Sequence, residues 1–232
     1  MFATLVFRSA GLDLSGRPIL RDLDVALAPG EWVFLFSPPG AGKTSLLRLA
    51  AGETAPTFGA IERSGLGHFA HHSMPLDDTK FSRDIVAEMM TGPDTQARAE
   101  KLLCDLGLGA YLGHEPFRLP RGPRARLAIA RGIAARPALL CLDDPFSPMD
   151  RRAKMLTANA LNRAADENGL AILMACNAPL DALRYADRIL IMSAGPGATI
   201  AEQIPHEPMP EASDDELAET DLHARLWRAL DG

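Results

Sequence analysis

Nine consecutive residues, Ser37-Pro38-Pro39-Gly40-Ala41-Gly42-Lys43-Thr44-Ser45, carry the chemistry most readable in this chain. They follow an apolar run, Trp32 to Phe36, and open into Leu46-Leu47-Arg48-Leu49-Ala50-Ala51, which reads as a helix. A strand, a glycine-rich turn and a helix starting at Gly-Lys-Thr form a phosphate-binding loop. Successive backbone N–H groups and the helix dipole there both favour a polyphosphate. Lys43 would reach the β- and γ-phosphates, and the Thr44 hydroxyl would bind Mg²⁺. The loop departs from its pattern at Ser37, where a glycine is usual, and at Pro39, which has no N–H to donate. Further on, the apolar run Ala138 to Leu142 ends in Asp143-Asp144. A carboxylate at the end of a buried strand, downstream of a phosphate loop, suits a hard cation, so Asp143 pairs with Thr44 as the expected metal residues.

These residues need a scaffold, and the pattern supplies one. The first 36 residues read as strands and turns, with Gly11 to Pro18 a turn region. Short strands follow between Ala55 and Phe69, punctuated by Gly59, Gly65 and Gly67. From residue 74 to 122 the periodicity becomes helical, at Phe81 to Met90 and Thr95 to Leu106, which predicts an inserted helical subdomain. Pro123 is placed at a helix start. Arg151 to Asn168 reads as a helix stopped by Gly169, Ala171 to Ala175 as a buried strand, Pro179 to Tyr185 as a short helix and Arg188 to Met192 as a strand. Residues 206–232 form a tail, loose from His206 to Asp215 and then an amphipathic helix to Leu230. Its stripe of Leu217, Leu222, Leu226 and Leu230 favours docking on its own domain over a partner helix. Strands alternating with helices around a phosphate loop predict a parallel α/β sheet, with residues 1–232 as one domain.

Composition narrows the function classes. Hydrophobic residues make up 47% of the 232-residue chain, enough for a sizeable core, and no apolar run approaches a membrane span. Met1-Phe2-Ala3-Thr4 has no basic stretch ahead of an apolar one, which predicts a cytoplasmic protein. A net charge of −6 argues against bulk nucleic-acid binding. Cys104, Cys141 and Cys176 lack metal spacing and read as reduced packing residues. His68, His71 and His72 fit no common zinc pattern and read as ordinary surface histidines.

Several segments together resemble an ATP-binding cassette (ABC) domain. They are Ala28-Pro29-Gly30-Glu31, Arg124 to Arg131, Leu139 to Asp150, and Ala186-Asp187-Arg188-Ile189. Ser193-Ala194-Gly195-Pro196-Gly197, ahead of a short strand and an acidic tail, is most similar to the nitrate, sulfonate and taurine importer branch. The resemblance implies the ABC-type P-loop fold, with an N-terminal antiparallel β subdomain and the helical insert. It implies ATP and Mg²⁺ as ligands, bound at residues 37–45 with Thr44 and Asp143 on the metal. It also implies a second ABC subunit as a head-to-tail partner, identical or not, below two transmembrane subunits on the inner membrane face.

The departures from the family pattern fall on the positions that it uses for hydrolysis. Where the family has Leu-Ser-Gly-Gly-Gln, this chain has Leu119-Pro120-Arg121-Gly122-Pro123. The serine hydroxyl is gone and two prolines remove backbone donors; Arg121 reads as a solvated cation more readily than as a phosphate contact. The catalytic glutamate corresponds to Asp144, one methylene shorter. The metal-sensing glutamine corresponds to His72, or to His71 with a gap shifted by one. The switch histidine falls on Asn177, which can hydrogen-bond a phosphate but carries no charge. No aromatic residue occurs from Arg8 to Gly16, where the family stacks one on adenine. The resulting expectation is a nucleotide-binding importer subunit with slow or absent hydrolysis. The alternative is a non-hydrolysing regulatory or scaffolding ABC subunit. A P-loop enzyme of another class, such as an AAA-type ATPase, fits poorly with the long, helix-rich separation of Lys43 from Asp143. Phe81, Ile85 and Met89, spaced by four, serve equally as a strip for a partner or as packing within the insert.

Overall fold

The computed structural model describes residues 3–71 and 74–231. Two sheets organise it. The first is antiparallel, in the order β2-β1-β4, built from β1 (Leu5–Leu14), β2 (Arg17–Leu27) and β4 (Phe58–Arg63). The second holds six strands in the order β5-β6-β7-β3-β8-β9. These are β3 (Trp32–Phe36), β5 (Gly67–His71), β6 (Leu139–Asp143), β7 (Ala171–Ala175), β8 (Arg188–Met192) and β9 (Ile200–Pro205). Strands β5, β6, β7, β3 and β8 pair in parallel, and β9 closes one edge antiparallel to β8. Every residue of β3 and β7 is buried, which is why both read as continuous apolar runs.

Alternating side chains divide the core between the two faces of the larger sheet. On one face, Val33, Leu35, Cys141 and Leu173 pack with α1 (Lys43–Ala51) and the small sheet. On the other, Phe34, Phe36, Leu140 and Met174 pack with α4 (Arg121–Ala134), α5 (Arg151–Asn168), α6 (Pro179–Tyr185) and α8 (Asp221–Asp231). A third cluster fills the stretch expected to be a helical insert, where α2 (Ser82–Ala87) and α3 (Thr95–Asp105) meet α4 around Val86, Leu103 and Leu127.

Several local expectations are corrected. The turn region expected from Gly11 to Pro18 contracts to Ser15-Gly16, both at positive φ, because β1 runs on to Leu14. Helix α4 begins at Arg121, so Pro123 lies in its first turn, where a missing N–H costs no helical bond. Of the strip Phe81, Ile85 and Met89, Ile85 is buried in the third cluster and Met89 packs against it, while Phe81 stays 41% exposed. Cys104 is exposed, although Cys141 and Cys176 are buried.

The tail is not loose. Arg184, buried in α6, donates to the carbonyls of Pro210 and Ala212 and pairs with Asp214, and the Met209 N–H bonds the Leu183 carbonyl. The expected single helix is two, α7 (Asp214–Ala218) and α8, the former opened by a Ser213/Glu216 capping box. Leu217 and Leu226 are fully buried and Leu222 and Leu230 pack on the core, so this stripe docks on its own domain. Among the described residues no helix is long and apolar enough to cross a membrane.

Candidate functional site

The loop strand is held in register from below. Glu31 accepts two hydrogen bonds from Arg188, at 2.7 and 3.0 Å, and Asp187 accepts the Trp32 N–H at 2.8 Å. These contacts lock β3 against β8 and aim its upper end at the glycine-rich turn. Helix α1 then starts at Lys43 with Gly42 as its cap, and among the described residues no side-chain cap bonds the N–H groups of its first turn. Such an unfilled helix start is an anion site. Gly42 sits at a left-handed φ of 100°, which favours glycine, and a Cβ there would also crowd the side chains of Ile19 and Leu20 at 3.1 Å.

Lys43 turns back on the loop, donating to the Ser37 carbonyl at 2.9 Å and to the Ser37 hydroxyl at 3.1 Å. The serine that breaks the loop pattern therefore holds the lysine, and sequence reasoning missed that role. Burial lowers the Lys43 pKa, against which the charges of Asp143 and Asp144 act. Thr44 donates its hydroxyl to Asp143 Oδ2 at 2.6 Å, so two residues far apart in sequence meet at the foot of the loop. A hydroxyl and a carboxylate side by side suit a hard cation such as Mg²⁺. Among the described residues no group of three His, Cys, Asp or Glu side chains could hold a metal alone. A cation here would complete its shell with phosphate oxygens and water, so the donor set fits Mg²⁺ carried by a nucleotide.

Asp144 and Asn177 are also brought together, the Asn177 amide donating to Asp144 Oδ2 at 3.2 Å. Asp144 takes a left-handed φ of 44° and its N–H bonds the Ala175 carbonyl. Burial raises the Asp144 pKa; the Asn177 hydrogen bond opposes this and the Asp143 charge adds to it. His72 lies outside the described residues. The alternative, His71, ends β5 in register with Asp143, its ring 5.2 Å from that of Phe69.

The segment Leu119 to Pro123 forms the start of α4, with Pro120 as its cap and Arg121 exposed. A Cβ on Gly122 would lie 2.7 Å from the Pro148 carbonyl, so this helix start rests on the stretch that follows Asp144.

Residues 20–147 match the family model described as ABC transporter. The chain belongs to the ABC transporter family. It is 32% identical over 219 residues to an aliphatic sulfonates import ATP-binding protein of Rhodococcus jostii, covering 90% of this chain and 89% of the relative. A lipoprotein-releasing system ATP-binding protein of Caulobacter vibrioides is 31% identical over 214 residues, covering 82% and 91%. Among solved structures, one described as the ATP-binding subunit of an ABC transporter superposes with a TM-score of 0.77 at 20% identity, over 96% of this chain and 99% of that one. A dimeric bacterial ABC transporter cassette gives 0.76 at 18% identity, over 88% and 100%. These two likenesses establish that this chain has the fold of ABC cassettes. Within the ABC family, the chain presents its phosphate loop, Asp143, Asp144 and Asn177 along one end of the parallel strands.

Proposed function

We propose that this chain is the nucleotide-binding subunit of an ABC importer, binding Mg-ATP at residues 37–45 and hydrolysing it slowly or not at all. The observation that carries the reading is the joined pair Thr44–Asp143 beneath a loop whose lysine is already held in place. Thr44 and Asp143 would hold the cation, which when bound neutralises phosphate charge. Lys43 would leave Ser37 for the phosphates, and the open N–H groups at the start of α1 would receive them. Relatives named as sulfonate import ATP-binding proteins support the importer class, with an aliphatic sulfonate as the cargo of the assembly.

Partners follow from the same reading. A second cassette, identical or different, would bring its own helix start against this loop. A membrane subunit would cover the insert where Phe81 and Phe117, 41% and 59% exposed, stand with Arg83 and Arg118 over their rings. In that arrangement the chain would sit at the inner face of the membrane, on its cytoplasmic side.

Slow hydrolysis rests on particular side chains. Asp144 is shorter than glutamate and occupied by Asn177, and a displacement near 1 Å costs about a hundredfold. The altered Leu119–Pro123 segment favours a second reading, a regulatory subunit whose nucleotide only stabilises an assembly. Calorimetric titration of the wild type and Lys43→Ala with Mg-ATP tests binding: heat for the first and none for the second is expected. Equal heats, or none for either, would remove the loop from the account. With no aromatic residue from Arg8 to Gly16 to stack on adenine, the site should discriminate ATP from GTP less than an adenine-stacking one.

A further inference from the structure

A cavity of about 780 Å³ lies between α5, α6 and α8, behind Asn177 and apart from the phosphate loop. Small-molecule sites commonly span roughly 300–1,000 Å³, mostly apolar with a few convergent polar groups. One wall is apolar: Trp227 and Met155, each 48% exposed, with Leu180, Tyr185 and Pro210. Trp227 is fixed, because its indole N–H bonds His223 Nε2 at 3.0 Å and its ring meets the imidazole edge-on. A large exposed aromatic face held in one orientation needs little ordering to receive a ligand.

The charges around the cavity leave an excess of cation. Lys154 pairs with Asp181 at 2.7 Å, and Arg184 pairs with Asp214. Arg151 reaches the same Asp214 only at 3.9 Å, and the exposed Arg152 beside it also lines the cavity. Glu211 is the remaining carboxylate on the lining. Two neighbouring arginines at the start of α5 thus face an apolar wall with one carboxylate against them. Arginine forks suit carboxylate, sulfonate and phosphate groups.

We infer that this cavity binds a small amphipathic anion, its apolar body on Trp227 and Met155 and its charged head on Arg151 and Arg152. The cavity wall includes Asn177 and Ala178, so an occupant would touch the residue that holds Asp144. The inference stands independently of nucleotide binding, and its test uses the nucleotide-free chain.

The probe is octyl sulfate below its micelle concentration, against octyl glucoside, with the same tail and no charge, and methyl sulfate, with the same head and no tail. Trp227 reports occupancy by the part of the fluorescence change that Trp227→Phe abolishes over the background of buried Trp32, and calorimetry reports it independently. Saturable one-to-one binding of octyl sulfate is expected, with both controls weaker by about tenfold or more. The exposed double variant Arg151→Gln/Arg152→Gln should lose about tenfold with unchanged circular dichroism, and Trp227→Ala should lose binding by calorimetry. Four results would overturn the inference. They are equal binding of octyl glucoside, indifference to the arginine change, no saturable binding, or a self-association abolished by Trp227→Asp, which would make the face an interface between copies.

Discussion

Asn177 donates its side-chain amide to Asp144 at 3.2 Å, and Asp144 is held at a left-handed φ of 44° with its N–H on the Ala175 carbonyl. The carboxylate that we propose in place of the family's catalytic glutamate is therefore fixed from two sides. It is half-buried as well, and an asparagine partner offers it no positive charge.

Burial raises the Asp144 pKa above its ordinary value of 3.8, so ionising this carboxyl opposes folding. A raised folded pKa means that the group's favourable contribution is full below the unfolded value and fades as pH rises through the folded one. Asp144→Asn should therefore stabilise the chain at about pH 7, with the gain shrinking as pH falls toward about 4. Urea unfolding of both proteins across that range checks this, and a gain that grows on acidification would contradict it.

Thr44 and Asp143 share one hydrogen bond at 2.6 Å. Thr44→Val keeps the shape of the side chain but removes the hydroxyl. Affinity for ATP with Mg²⁺ should fall by about tenfold, while affinity in the presence of a chelator changes little. Parallel calorimetric titrations separate the two conditions.

Gly122 faces the Pro148 carbonyl with no room for a methyl group, the contact being 2.7 Å. Alanine gains up to about 1 kcal/mol of helix propensity. Forcing backbone apart costs about 1–3 kcal/mol, so the clash should win. Thermal unfolding of Gly122→Ala should show a midpoint lower by about 2–4 °C for each kcal/mol of net loss. An unchanged midpoint would mean that α4 shifts freely at its first turn.

Much of this architecture was legible because its signals are local. Apolar β3, the two loop glycines and helix-starting Lys43 lie together, and the run ending in Asp143 announces a buried parallel strand. Contacts between distant segments were not legible. Nothing in the sequence near Ser37 says that its hydroxyl holds Lys43, and nothing near Gly122 says that Pro148 crosses it. The tail from His206 to Asp215 reads as loose because it is acidic and contains prolines. Yet buried Arg184, some thirty residues earlier, satisfies its carbonyls. Ile85 reads as well on an outer strip as in a core, because helical spacing identifies a face without saying what covers it.

The central claim is that nucleotide is bound but scarcely turned over. Losing one positioned group typically costs about 10²–10³ in rate, and losses within one unit need not add. The decisive measurement is steady-state phosphate release by the assembled complex, for the wild type and for Asp144→Glu/Asn177→His. Slow or undetectable release with a normally occupied loop, rising in the double variant, is the predicted result. Release at the rate of ordinary ABC importers, unchanged by the double substitution, would contradict it.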